Sequence, residues 1–345
     1  MKEYKRNILC FDDILLVPQD SDIMSRSAVD MSATIGCDSV LIPLSLPIIA
    51  APMDTICGRD MCMSMAAAGG LGILHRYMSY DKQLWQAKTL VENNIVFGVA
   101  IASNNGFMDH AQKLVDAGVR ILLVDTANGH GQYAINAVRQ LKDHFPDVHI
   151  MAGNISTYHG YMSLADAGVD SVRVGIGGGG LCTTRLVSGH GMPTLASIMD
   201  IRERVERGYG PSIIADGGIK TSGDAVKAFA AGADVVMLGS ALAGTEETPG
   251  SIINIDGERF KKLRGMASEA AQKEGRGSVS VIEGVSTMVP YNGPVSSVLK
   301  QWAGGIGSGL SYSGVDNLYS LYKEAQYITI SHSALAENKP HSKRN

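Results

Sequence analysis

Eight short apolar runs, each closed by Gly, Asp, Asn or His and followed by an amphipathic stretch, set the tightest limit on how this 345-residue chain can fold. They are Pro47-Ile48-Ile49-Ala50-Ala51, Leu71-Gly72-Ile73-Leu74, and residues 95–100, 120–124, 148–152, 171–174, 212–215 and 234–238. Their apolarity is continuous rather than alternating, as in strands buried on both faces of a parallel sheet, and the stretches between them supply crossover helices. Helices are predicted over 108–117, 158–167 and 222–231, stopping at Gly118, Gly168 and Gly232, where a C-terminal cap favours positive φ. The near-repeats Asp116-Ala117-Gly118-Val119, Asp166-Ala167-Gly168-Val169 and Ala231-Gly232-Ala233-Asp234 lead straight into strands, as one repeated helix-to-strand turn. The expectation is an α/β protein, a single (β/α)8 TIM barrel spanning 1–345. A doubly wound open sheet fits less well, because no G-x-G-x-x-G follows the first strand and polar residues end nearly every strand.

Composition narrows the function. A net charge of −4 without a clustered Lys/Arg stripe leaves no electrostatic footprint for nucleic acid or an anionic membrane, so the expected partner is a small molecule. The five cysteines, Cys10, Cys37, Cys57, Cys62 and Cys182, are scattered and form no C-x-x-C pair, which argues against a disulfide framework or structural zinc and for a reducing compartment. The N-terminus has no apolar h-region, and the longest apolar run, 40–53, is interrupted by Pro43, Pro47 and Pro52; a cytoplasmic location is expected. The polar, basic tail 337–345 is expected to be disordered.

Barrels of this kind build their sites at the C-terminal ends of the strands. Here those ends offer Met53-Asp54, His75-Arg76, Asp125, Gly153-Asn154, Asp216-Gly217-Gly218 and Gly239-Ser240. Beside them, Val174-Gly175-Ile176-Gly177-Gly178-Gly179-Gly180-Leu181-Cys182-Thr183-Thr184-Arg185 hangs one cysteine from a glycine-rich loop with two threonine hydroxyls nearby. This is the pattern of a nucleophile on a loop, although an inert structural cysteine beside a surface turn has the same local sequence. The Asp216-Gly217-Gly218 and Gly239-Ser240 turns end consecutive strands and present bare backbone N–H groups to an anion, implying a phosphorylated ligand, with Asp216 facing ribose hydroxyls.

Seven ordered segments carry a resemblance: Phe11-Asp12-Asp13-Ile14-Leu15-Leu16-Val17-Pro18, Ser25-Arg26-Ser27, Ile49-Ala50-Ala51-Pro52-Met53-Asp54-Thr55, Met151-Ala152-Gly153-Asn154, the Cys182 loop, Asp216-Gly217-Gly218 and Arg264-Gly265-Met266. From about residue 8 to residue 315 the chain resembles the inosine-monophosphate dehydrogenase and guanosine-monophosphate reductase family. Three features favour the reductase branch. Leu74-His75-Arg76 passes to Phe97-Gly98-Val99-Ala100 in too few residues for the CBS modules usual in dehydrogenases. Val124-Asp125-Thr126-Ala127-Asn128-Gly129 resembles the reductase strand end, although His130 is similar to bacterial dehydrogenases. Between Met266 and Glu283 there is Arg276 but no adjacent Arg-Tyr pair, the dehydrogenases' machinery for hydrolysing a covalent intermediate.

The resemblance implies NADPH-dependent reduction of GMP to IMP through a Cys182 adduct, with Thr184 and Glu283 moving the proton. It assigns the nucleotide to Asp216, Gly217, Gly218, Gly239, Ser240, Gly265, Met266 and Ala267. The cofactor would meet Arg76, Asp125, Thr126, Ala127, Ile176, Gly177, Met266, Ser308 and Gly309, with Ser25 and Arg26 reaching its 2′-phosphate from a neighbouring subunit of a homotetramer. A potassium ion would rest on the main-chain carbonyls of Gly177, Gly179, Cys182 and Arg185, and 266–290 would form a mobile flap. Two departures stand out: Val279-Ser280 replaces a Tyr-Arg pair near the flap glutamate, and Gly307 replaces an arginine. A dehydrogenase without CBS modules and a non-catalytic purine-nucleotide-binding barrel are the competing readings.

Overall fold

The structure, a computed structural model, describes residue 4 and residues 8–37, 40–104, 106–276 and 278–338. Eight parallel strands close a barrel, each pairing with the next along the chain and the last with the first. They are β1 (Ile48–Ala50), β2 (Leu71–Leu74), β3 (Phe97–Ile101), β4 (Ile121–Asp125), β5 (His149–Ile155), β6 (Ser171–Val174), β7 (Ser212–Asp216) and β8 (Val235–Leu238). Every expected run overlaps one of them, and β3, β4, β5 and β7 extend past the expected ends. β5 runs furthest past its expected end, through a register shift against β6 between Gly153 and Ile155. From β2 the chain passes through the helix Tyr80–Glu92 to β3 with no inserted domain.

Successive strand residues face opposite sides, which sorts the core into two layers. Ile49, Leu71, Ile73, Ala100, Ile121, Leu123, Met151, Ile214, Val235 and Met237 fill the barrel interior. Ile48, Ala50, Val99, Leu122, Val124, Val172, Val174 and Val236 pack outward beneath the helices. Ile35 and Leu44 join the interior cluster from the hairpin Ala33–Ile35 and Ile42–Leu44, which sits under the strands' N-terminal ends: Gly36 N–H donates to Ser212 Oγ at the start of β7.

The expected helix stops occur at Gly118, Gly168 and Gly232, with φ of 103°, 86° and 104°. Two of the repeated turns deliver an aspartate to the N-terminal rim of the barrel. Asp170 accepts the Ile150 N–H at 2.6 Å, and Asp234 accepts that of Ile213 at 2.8 Å, so each ties a strand to its neighbour. At the chain's ends, Ile14–Leu16 pairs antiparallel with Tyr327–Thr329. Glu337 closes the helix His332–Glu337, so the expected disordered tail does not begin there; 339–345 lies outside the described residues. No helix among the described residues is long and apolar enough to cross a membrane.

Candidate active site

The inward alternation of Leu123 and Ile214 continues to Asp125 and Asp216 at the tops of β4 and β7, and in β6 the outward Val172 and Val174 leave Arg173 pointing inward. Arg173 bridges the two carboxylates, NH1 to Asp125 Oδ1 at 2.7 Å and NH2 to Asp216 Oδ2 at 2.8 Å. Arg76 Nε reaches Asp125 Oδ2 at 2.9 Å, and Asn154 Nδ2 donates to Asp216 Oδ2 at 2.7 Å and to the Gly175 carbonyl at 2.7 Å. Burial alone would raise the Asp125 carboxyl; the guanidiniums of Arg76 and Arg173 outweigh it and hold it below its ordinary value. This ladder joins the ends of five strands, β2, β4, β5, β6 and β7, into a charged floor. Arg173 is absent from the sequence expectations, although an arginine inside the run Ser-Val-Arg-Val, in phase with inward positions, is a readable signal.

Above the floor, the chain leaving β6 must pass close to β7. Gly175 has φ of 141°, and a Cβ there would lie 2.0 Å from the Asp216 carbonyl oxygen. The loop then tightens where Cys182 N–H donates to the Gly179 carbonyl at 3.0 Å, leaving Cys182 exposed to the cleft. Its Sγ–H donates to Thr184 Oγ1 at 3.2 Å, and Thr184 Oγ1 donates to Glu283 Oε2 at 2.7 Å. The two threonines after the cysteine thus differ in use: Thr184 carries the relay, while Thr183 N–H donates to the Glu283 carbonyl at 3.0 Å.

Glu283 reaches this place on a return segment paired along both sides. The Val285 N–H meets the Leu181 carbonyl at 3.1 Å, the Glu283 N–H meets that of Ala267 at 3.0 Å, and the Gly265 N–H meets that of Val285 at 2.9 Å. Glu258–Arg264 and Ser286–Pro290 form the ribbon beneath, and between them lies the helix Glu269–Arg276. Arg264 anchors the base of this lid: it pairs with Asp54 after β1 and donates to Glu274 Oε2 at 2.6 Å. Beside this anchor His75 is buried, its Nδ1 accepting the Tyr77 N–H at 3.2 Å. Burial, aided by Lys82 and Arg264 and only partly offset by Asp54, pushes its imidazole down to about 4.

Floor, loop and lid enclose one cleft of about 300 Å³. Cys182, Thr184 and Glu283 line it, as do Asp216, Gly217, Gly218, Gly239, Ser240, Gly265, Met266 and Ala267. Gly217 and Gly218, with φ of 87° and 80°, form the expected turn after β7. Of the residues expected for the cofactor, Arg76, Asp125, Thr126, Ala127, Ile176 and Gly177 line the cleft with Met266. Ser25, Arg26, Ser308 and Gly309 are not part of its wall within one chain. They gather elsewhere, along the helix Val295–Tyr312, where a Cβ on Gly307 would lie 2.7 Å from the Arg26 carbonyl oxygen and one on Gly309 would lie 2.5 Å from Val226. The glycine at 307 is thus explained by close packing of the N-terminal segment. Gly177, Gly179 and Cys182 face the cleft, whereas the Arg185 side chain folds against Gly177 and Gly191. Among the described residues no cluster of three or more His, Cys, Asp or Glu side chains could hold a metal ion.

A closed parallel barrel whose strand ends, glycine turns and loop-borne cysteine line one cleft has the arrangement of an enzyme active site. The model of the IMP dehydrogenase / GMP reductase domain matches residues 8–341, and the chain belongs to this family, whose members are oxidoreductases acting on purine nucleotides. Inosine-5′-monophosphate dehydrogenase of Nitrosopumilus maritimus is 32% identical over 475 aligned residues, covering 98% of this chain and 99% of that one. The corresponding enzyme of Borreliella burgdorferi is 33% identical, covering 97% of each. Among solved structures, GMP reductase from Trypanosoma brucei in complex with guanosine 5′-monophosphate superposes with a TM-score of 0.91 at 27% identity, covering 99% of both chains.

Proposed function

We propose that this protein is a GMP reductase, converting GMP to IMP and ammonia with NADPH as reductant. The observation that carries the proposal is the unbroken chain from Cys182 Sγ through Thr184 Oγ1 to Glu283 Oε2, at 3.2 and 2.7 Å. A carboxylate linked through one hydroxyl to a nucleophilic thiol can take the thiol proton and return it to a departing amine. Sulfur adds to C2 of the guanine ring; the exocyclic amine, protonated from the Thr184–Glu283 pair, leaves as ammonia; and a covalent thioimidate remains. NADPH supplies the hydride for C2, after which the C–S bond breaks and IMP departs with the sulfur electrons restored to Cys182.

The nucleotide lies with its phosphate on the N–H groups of the Gly217-Gly218 and Gly239-Ser240 turns and its ribose toward Asp216. Asp216 Oδ2 already accepts Asn154 and Arg173, so Oδ1 is the oxygen that meets the sugar. For the cofactor, Asp125 is fixed by two arginines and keeps lone pairs for a carboxamide N–H, while Thr126, Ala127 and Gly177 furnish small-residue walls. A potassium ion suits the oxygen donors of Gly177, Gly179, Cys182 and Arg185 chemically, one of which, the Gly179 carbonyl, already accepts the Cys182 N–H at 3.0 Å. Segment 266–290 would open to admit the nucleotide, and Ser25 and Arg26 would serve a neighbouring subunit of a tetramer, since they stand away from their own cleft.

One finding favours a second reading, oxidation of IMP to XMP with NAD: the curated relatives at 32% and 33% identity are named IMP dehydrogenases. The two are separated by absorbance at 340 nm with GMP or IMP, either cofactor, and potassium present. Loss of absorbance with GMP and NADPH is expected; a rise with IMP and NAD, without GMP turnover, would sink the reductase reading.

A further inference from the structure

Backbone pairs hold Glu283 and Val285, but the stretch that leads to them, 280–282, has no such pair among the described residues. Val281 and Ile282 are 60% and 44% exposed, so no apolar burial fixes the return from the helix Glu269–Arg276. One polar side chain enters the gap. Gln272 is 1% exposed, unusual for an amide that water solvates well.

Its full hydrogen-bonding capacity is used. Nε2 donates to the carbonyls of Ala267 at 3.0 Å and Val281 at 2.9 Å, and Oε1 accepts from Ser280 N at 2.9 Å and Ser280 Oγ at 3.0 Å. The Ala267 carbonyl also receives the Glu283 N–H at 3.0 Å, so the amide and the glutamate backbone converge on one oxygen. Among the hydrogen bonds of the described residues, those of Gln272 alone join the helix to 280–282. Arg264 and Glu274 hold the helix but do not touch the return. We propose that Gln272 is a positioning residue that sets Glu283 against Thr184, an inference that rests on the relay described above. It is not part of the cleft wall, and it acts by fixing Ser280 and Val281 just before the proton-carrying carboxylate and the Ala267 carbonyl that accepts the Glu283 N–H.

A double-mutant cycle tests this. Gln272→Met keeps length and apolar volume while removing all four bonds. The expected outcome is a fall in kcat of about tenfold or more with the KM for GMP nearly unchanged, and faster amide exchange confined to 278–285. Glu283→Gln is expected to lower kcat by roughly 10²-fold or more, and the double variant should be no slower than Glu283→Gln alone, because a misplaced relay and an absent one are equivalent. Ser280→Ala, at an exposed residue, removes one bond of the four and should lower kcat by about twofold at unchanged Tm, so the proposal stays open to refutation if Gln272→Met does not fold. Losses that multiply in the double variant, a loss carried in KM, or a kcat at the wild-type level would overturn the positioning role while leaving the relay intact. Wild-type protein that turns over IMP with NAD but not GMP refutes the reductase reading alone, and the same cycle on that reaction then decides on Gln272. Inactivity toward both nucleotides overturns both.

Discussion

At the floor of the cleft, side chains do the fixing: Arg173, with its side chain 9% exposed, holds Asp125 and Asp216, while Arg76 adds a bond to Asp125 and Asn154 one to Asp216. Across the same cavity, main chain holds the loop to the return segment, with Gln272 and Arg264 behind it. Leu181, Thr183, Glu283 and Val285 are paired by their backbones, and Cys182 stands exposed at the end of a glycine run. The floor is built from mutually neutralising charges on barrel strands, which would be costly to leave unpaired. Cys182 and Thr184 on the loop are neutral groups whose removal takes away no buried ion pair, and Glu283 opposite them has no arginine or lysine in its relay. Perturbing the floor should therefore unfold or loosen the protein, and perturbing the lid should stop the chemistry in a protein that is still folded.

The sharpest way to break that contrast is at the nucleophile. Cys182→Ala should lower turnover by at least about 10⁴-fold, because without sulfur there is no covalent route. Its unfolding free energy should stay within about 0.5 kcal/mol of wild type, as for exposed positions generally. Urea denaturation alongside the absorbance assay measures both, and substantial residual turnover would remove Cys182 from the mechanism. Next in size is Arg173→Met, which leaves Asp216 without its ion-pair partner and Asp125 with Arg76 alone, and should destabilise by about 3–5 kcal/mol. A variant within 1 kcal/mol or so of wild type would mean that water already solvates Asp125 and Asp216, and the floor would then be no more rigid than the lid.

The sequence made these two regions legible to different degrees. Asp125 and Asp216 follow from strand ends alone, since a polar residue closing a continuous apolar run in a parallel barrel must face the mouth. Arg173 is hidden in Ser171-Val172-Arg173-Val174, whose mean character is that of a buried strand; only the face each residue takes sets the arginine apart. On the lid, Thr184 and Glu283 are 99 residues apart, and no periodicity relates them; only the family resemblance brought them together. Gln272 was invisible for the opposite reason. In Glu269-Ala270-Ala271-Gln272-Lys273-Glu274 it looks like one more solvated helix residue, and its burial depends on where the return segment folds back. Ser308 and Gly309 fell where the glycines of a helix serve close approach to Val226 and Arg26, a need set by packing partners distant in the chain.

Smaller effects refine the contrast. Thr184→Val keeps shape while cutting the link between Cys182 and Glu283, and should lower kcat by about 10²-fold with little change in Tm; parallel loss of stability would show that the lid depends on this hydroxyl structurally. The smallest effect belongs below the lid, at His75. Its folded imidazole lies near 4 against an ordinary 6.5, because burial disfavours the cation and Nδ1 must stay unprotonated to accept the Tyr77 N–H. Between these values the unfolded chain binds the proton more readily, so the contribution is complete above about pH 6.5 and is lost as pH falls toward 4. From pH 7 to pH 5 this amounts to about 2 kcal/mol. In His75→Asn, whose side-chain oxygen can accept the same N–H, unfolding free energies at the two pH values should differ by correspondingly less than in wild type. An unchanged difference would place the acid sensitivity in other buried histidines, such as His110 or His149, whose imidazoles are also held low by burial.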